Sequence, residues 1–173
     1  LKKGFNIFLI SSFNKDEPIH EVIKTAPRLK EENVNIYISG NCNKLDESIR
    51  YNVSDNIIFI GFVSDDEFVN YLYSSDAAMV LTMVDHCMMC GCYEAVAAKK
   101  PLITSNKNVL KEYFNRALFV NDDKYEIIKA IVKLRDNYEY YDNEFKILNK
   151  NLARTWQSLR EDIEKEIKYI ESN

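Results

Sequence analysis

"NIIFIGFVSDDEFVNYLYSSDAAMVLT", Asn56 to Thr82, spells a strand, a turn, a helix and a second strand. Ile57 to Gly61 is a short apolar run bounded by turn residues, which reads as a buried strand. Ser64 and Glu67 have the spacing of a capping box, in which each side chain satisfies the other residue's free N–H, so a helix starts there. Ala77 to Val84 then opens a further apolar strand. A strand that is apolar on both faces, followed by a helix and another such strand, is the pattern of a parallel pair with its crossover.

The same alternation extends in both directions. Upstream, Phe5 to Ile10 and Val34 to Ser39 read as strands. "PIHEVIKTAPRLK", Pro18 to Lys30, reads as one helix with Pro18 in its first turn and Ile19, Val22, Ile23, Ala26 and Leu29 on one face. "DESIRYN" reads as a short helix before the third strand. Downstream, "GCYEAVAAKK" is a helix of small residues, "PLITS" a fifth strand, "NVLKEYF" a helix, "ALFV" a sixth strand and "KYEIIKAIVKLRD" a helix. Six strands alternating with helices predict an α/β fold over residues 1–137: a Rossmann-like, doubly wound parallel sheet with helices on both faces. Ligands of such sheets sit at the carboxyl ends of the strands. The loops that matter therefore begin at Ser11, Gly40, Gly61, Met83 and Thr104. Residues 138–173 read as a C-terminal helical segment. Its narrow apolar seam, Leu152, Trp156, Leu159, Ile163, Ile167 and Ile170, either folds onto this domain or crosses to an N-terminal domain outside the sequence.

A chain of 173 residues fits one domain. With 23 Lys and Arg against 27 Asp and Glu its formal net charge is −4, which argues against nucleic acid as a partner but leaves room for a small anion. No apolar run approaches the ~20 residues of a membrane helix, and no signal peptide is evident. The first residue is Leu1, as expected of a piece of a longer protein. Four cysteines, three of them clustered, do not make a disulfide framework, so a reducing, cytoplasmic compartment is expected.

The cluster is "DHCMMCGCYEA", Asp85 to Ala95. A structural zinc wants four ligands, usually as two separated pairs, and here the candidates are crammed into the stretch from His86 to Cys92, running from loop into helix, with only Cys42 and His20 elsewhere. A redox pair at Cys87 and Cys90 would have an unusual Met-Met spacer. The third reading is an anion site. A helix starting near Cys90 offers free backbone N–H groups to a diphosphate, Gly91 allows close approach, and Glu94 one turn in can accept ribose hydroxyls or simply stabilise the helix dipole.

The order of "GFV", "SSD", "DHCMMCGCYEA", "KKPLITS" and "KEYF" resembles the C-terminal, nucleotide-sugar-binding domain of GT-B glycosyltransferases, nearest to the retaining group-1 family (glycosyltransferase family four) in a variant subgroup. The likeness runs from about Phe5 to Lys133. It implies that Glu94 binds the ribose, that Met89, Cys90 and Gly91 offer amides to the phosphates, and that Gly61, Phe62 and Val63 lie against the base. The family's first acidic residue of this loop falls on His86, so Asp85 and His86 become the candidates for the donor sugar, and Asp85, His86 and Glu94 the catalytic candidates. The family's Arg and Lys in the first loop fall on Ser12 and Glu17, leaving Lys15 and Lys107 as replacement cations. Ser12, Phe13 and Ser105 complete the candidate donor-contacting set.

The resemblance further implies a metal-independent sugar transfer with no cofactor besides the nucleoside diphosphate sugar. It implies an acceptor, a glycan or lipid-linked sugar, held by an N-terminal domain. A bacterial setting in surface polysaccharide or glycolipid synthesis follows from it, with the full-length protein peripheral to the inner face of a membrane. The competing readings are a non-catalytic scaffold of the same fold, a Cys-based metal or redox protein, and a sugar-nucleotide epimerase.

Overall fold

The structure, a computed structural model, describes residues 1–172. Six strands form one parallel sheet: β1 (Phe5–Leu9), β2 (Val34–Ser39), β3 (Ile57–Gly61), β4 (Ala77–Val80), β5 (Leu102–Ser105) and β6 (Leu118–Val120), in the order β3-β2-β1-β4-β5-β6. This is the doubly wound order, and it reverses direction between β1 and β4. The helices are α1 (Ile19–Lys24), α2 (Ala26–Glu31), α3 (Glu47–Tyr51), α4 (Asp65–Ser74), α5 (Cys90–Ala97), α6 (Asn108–Tyr113), α7 (Lys124–Asp136) and α8 (Tyr138–Ser172).

Alternate strand residues feed two cores. Ile7, Leu9, Ile36, Ile38, Met79 and Ile103 pack against Val22, Leu29, Ile127 and Ile131 of α1, α2 and α7. Phe8, Tyr37, Ala78, Val80 and Leu102 face the other way, against Leu72, Ala95, Leu110 and Phe145 of α4, α5, α6 and α8. Burying each large side chain of these layers stabilises the fold by about 1.5–3 kcal/mol, and burial on both faces explains why the strands are apolar throughout.

The Ser64–Glu67 capping box forms as read: Glu67 Oε2 accepts the Ser64 N–H at 2.9 Å while Ser64 Oγ accepts the Glu67 N–H at 3.4 Å. The single helix expected over Pro18–Lys30 is instead two, broken at Thr25. Pro27 lacks an N–H, and its ring would clash with the Ile23 carbonyl in an unbroken helix. The Thr25 hydroxyl donates to the Val22 carbonyl at 2.6 Å, closing α1, and Pro27 falls in the first turn of α2, where it is tolerated. Pro18 precedes α1 as its N-cap. Strand β4 stops at Val80, releasing residues 81–89 as a loop.

The tail divides along its own length. Phe145 and Leu148 of α8 are buried beneath α5, and the Asn149 side-chain amide donates to the Val96 carbonyl at 2.8 Å. Beyond Leu152 the helix leaves the domain. Trp156 keeps one tie, an indole N–H to the Tyr113 hydroxyl at 2.7 Å, whereas Leu159, Ile163, Ile167 and Ile170 stand exposed.

Candidate functional site

The sheet order reverses between β1 and β4, and in doubly wound sheets the loops at such a point, here those after β1 and β4, border the ligand crevice. They are tied at its base, where the Met83 N–H donates to the Asp16 carbonyl at 2.7 Å and the buried Thr82 hydroxyl reaches Asp16 Oδ2 at 3.4 Å. The Thr82 N–H donates to Ser105 Oγ at 2.9 Å, and that hydroxyl donates on to Asp122 Oδ1 at 3.4 Å. Ser105 is 1 % exposed, so it holds the β4 and β6 ends together and presents no free face to a ligand. On the other flank, Gly40 has a φ of +97°, and a Cβ there would meet the Ser11 carbonyl oxygen at 2.3 Å. Only glycine lets β2 end that close to the β1 loop.

The β1 loop is closed on itself. Glu17 Oε1 and Oε2 accept the Ser12 N–H at 3.1 Å, Oε2 accepts the Phe13 N–H at 3.1 Å, and the Ser11 and Ser12 hydroxyls also donate to this carboxylate. Phe13 adopts a φ of 56°, unusual for a bulky residue. Its ring is buried, 5.9 Å from that of Phe59, so the side chain belongs to the core and not to the crevice, contrary to its expected contact with a donor. Lys15 is exposed on the β2 side of the loop, beside a cavity of about 230 Å³ shared with Asn14, His20 and Lys44.

The β4 side is open. The N-cap of α5 is Met89, which offers no side-chain cap, and the Cys90 and Gly91 N–H groups find no acceptor among the described residues. The side of Gly91 that would carry a Cβ is turned to the sheet and not, as expected, to an approaching ligand. A Cβ there would lie 3.0 Å from Val80 Cγ2 and 3.1 Å from Ile10 Cγ2, so this glycine seats α5 against the ends of β4 and β1. It brings the helix end to the crevice by packing. His86 has a φ of 59°, and with Asp85 it lies exposed in the loop. Lys107 Nζ bonds the Met83 carbonyl at 2.9 Å and pairs with Asp85 at 3.3 Å, which makes it a bolt across the loop.

Glu94 is exposed and its carboxyl makes no hydrogen bond or ion pair among the described residues, yet desolvation by neighbouring protein raises the pKa of that carboxyl. Asp122, half-buried, is also pushed up by desolvation, against the pull of Lys107 and the Ser105 hydroxyl. Asp16, Thr82 and Asp122 escaped the sequence reading. The only signal for Asp122 was "NDD" after an apolar strand. At the sheet's outer edge Gly61 takes a φ of +74° with open space around it, and Phe62 beside it is 80 % exposed, a free aromatic face.

The cysteines scatter. Cys92 is fully buried against the Thr104 hydroxyl at 3.5 Å, and burial pushes its thiol up to about 12. Cys90 is exposed, and Cys87 leans on the Met89 sulfur at 3.6 Å. Among the described residues no three His, Cys, Asp or Glu side chains converge as metal ligands. The geometry therefore gives no support to the metal reading; a thiol held near 12 makes Cys92 a poor redox partner, while Cys87 and Cys90, the expected redox pair, are both free thiols.

The fold is shared with solved structures of low sequence identity. Sucrose-phosphate synthase from Thermosynechococcus elongatus superposes with a TM-score of 0.75 at 15% identity, over 97% of this chain and 46% of that one. HepE from Anabaena, solved in complex with UDP-glucose, gives 0.69 at 13% identity, over 90% and 49%. The trehalose-6-phosphate synthase OtsA gives 0.65 at 17% identity, over 94% and 43%. The chain thus spans about half the length of each. No curated protein sequence matches it. The family profile described as "Glycosyl transferases group 1" matches residues 2–147.

Proposed function

The chain belongs to the group 1 glycosyl transferases, and we propose that the crevice between β1 and β4 binds the nucleoside diphosphate of a sugar donor, making this domain the donor half of a retaining glycosyltransferase. The observation that carries this is the start of α5. Two unclaimed backbone N–H groups, Cys90 and Gly91, face the crevice end of an uncapped helix, with an unpartnered carboxyl, Glu94, one turn further on. Such a helix end favours phosphate through both its free donors and its dipole. A desolvated carboxylate is suited to accept two ribose hydroxyls.

In this reading the diphosphate rests on the Cys90 and Gly91 amides. The ribose bonds Glu94, the base lies on Phe62 beside Gly61, and Asp85 and His86 meet the sugar. Catalysis comes from positioning and from stabilising the charge that develops on the departing diphosphate, which the helix end supplies without reorganisation. Lys107 contributes through Asp85, whose carboxylate it holds. A metal is not called for. The acceptor, a glycan or lipid-linked sugar, belongs to an N-terminal domain, toward which the exposed seam of α8 runs. A cytoplasmic position at the inner face of a membrane fits this role, and no described helix is long and apolar enough to cross one.

A thermal-shift titration with UDP, GDP, ADP and CDP, each with and without EDTA, tests the reading. A ligand at 100 times its dissociation constant adds about 2.7 kcal/mol, a rise of roughly 2–4 °C per kcal/mol for a domain of this size. The expected result is a rise with one nucleotide that EDTA leaves unchanged. A scaffold without donor binding would show no saturable rise with any of the four. The closed β1 loop is the feature that favours that second reading.

A further inference from the structure

The amides of the β1 loop are arranged as an anion nest, and the anion is already there. Successive N–H groups of Ser12 and Phe13 converge with the Ser11 and Ser12 hydroxyls on one point, which the Glu17 carboxylate fills. Convergent amides of this kind ordinarily serve phosphate or carboxylate ligands. The loop lies at the carboxyl end of β1, on the rim of the crevice where ligands of this fold bind. Of the neighbouring cations, Lys15 and Lys44 share with Glu17 the cavity on the β2 side of the loop, away from α5. Lys44 is spent on the Ser12 carbonyl at 2.8 Å and Asn14 Oδ1 at 2.9 Å, and Lys107 is paired with Asp85. Asp16, adjacent to Glu17, adds a second carboxylate at the base of the crevice.

We propose that Glu17 is a specificity-determining residue: it is the resident anion of the β1 loop, it bars ligand phosphate from these amides, and it leaves the nucleoside to supply most of the donor's affinity. The inference rests on the donor reading above. A phosphate could enter the nest only by displacing a carboxylate held through charge-assisted hydrogen bonds. One resting on the α5 amides has the Glu17 charge in the neighbouring loop, which the Met83–Asp16 bond joins to the β4 side. Two like charges a few ångströms apart near a protein surface repel enough to change affinity by an order of magnitude. The diphosphate is therefore held from one side only, by the start of α5.

The test uses the intact protein that carries this domain. The base is first chosen from UDP, GDP, ADP and CDP. The matching nucleoside and nucleoside diphosphate are then titrated by calorimetry into the wild type and Glu17→Gln. In the wild type the diphosphate should bind no more than roughly tenfold tighter than the nucleoside, and Glu17→Gln should tighten the diphosphate alone by roughly tenfold. A purely structural Glu17 would leave the ratio of the two affinities unmoved, and that result overturns the proposal. So does a wild-type diphosphate preference above roughly a hundredfold, a measurement that does not depend on the variant folding. If neither nucleoside nor diphosphate binds the wild type, the donor reading falls and this inference with it. Nucleoside binding with an unchanged ratio sinks the inference alone.

Discussion

Two loops flank the same crevice, and they treat backbone amides in opposite ways. After β1 the Ser12 and Phe13 N–H groups are taken up by Glu17, in a loop whose strained Phe13 backbone is locked by a buried ring. After β4 the Cys90 and Gly91 N–H groups are left open, at a helix end seated on the sheet by a glycine. One loop is finished by the protein's own carboxylate, and the other leaves its amides without an acceptor among the described residues. Free donors at the site therefore matter more than its tally of charged residues: Lys107 is tied to a carbonyl and a carboxylate, Lys44 to a carbonyl and an amide oxygen, and Lys15 stands on the β2 side, so the helix end is the positive pole nearest β4.

The largest effect is expected on the closed side. Gly40→Ala places a Cβ 2.3 Å from the Ser11 carbonyl in a left-handed conformation. It should cost about 3 kcal/mol or more in urea unfolding, because backbone and not a pliable side chain must yield. A loss under ~1 kcal/mol would mean that the β1 loop is not held as rigidly as its bonding indicates. On the open side Gly91→Ala meets methyl groups of Val80 and Ile10, which can give way. A smaller loss of about 1–3 kcal/mol is expected. Donor binding should weaken with it, since α5 must back away from the strands.

Glu94→Gln should lower nucleotide affinity roughly tenfold while leaving the unliganded fold no less stable at pH 7. The sign follows from desolvation, which raises the Glu94 pKa in the folded state. Its charged form is penalised in the folded state, so the penalty is present at neutral pH and vanishes below the unfolded value of ~4.3. For the same reason donor affinity should decline on acidification before an ordinary glutamate begins to titrate. A variant that melts lower than wild type at pH 7 with unchanged affinity would show Glu94 to be structural. The smallest effect concerns the cysteines. At pH 8 iodoacetamide should modify Cys90 and spare Cys92, whose thiol is pushed up to about 12, as read by peptide mass spectrometry. Bound nucleotide should slow the reaction at Cys90. Equal labelling of Cys90 and Cys92 would contradict the burial that seats α5.

The strands and the helix starts were legible because their causes are local. Apolar runs mark β1 to β6, and Ser64 and Glu67 mark α4 by spacing alone. The break at Thr25 was missed because the apolar stripe from Ile19 to Leu29 runs straight through it, while Pro27 acts on a single turn. The start of α5, with Glu94 one turn in, could be read from residue order. The roles of Glu17, Gly91, Phe13 and Ser105 could not. Glu17 meets its amides only because Phe13 turns left-handed, and Gly91 faces Val80 and Ile10 only once β1 and β4 are neighbours. Such partners are set by topology, and no spacing along the chain reveals them. The seam of α8 was visible as a periodicity, but its division at Leu152 depends on how far the domain surface extends.

The measurement that bears most directly on the donor site is a titration of the ¹⁵N-labelled protein with the nucleoside diphosphate, following individual backbone amides by NMR. The Cys90 and Gly91 resonances should move in a saturable way while those of Ser12 and Phe13 stay close to their starting positions. Movement confined to Ser12 and Phe13, or no saturable movement at Cys90 and Gly91, would contradict the assignment of the diphosphate to the start of α5.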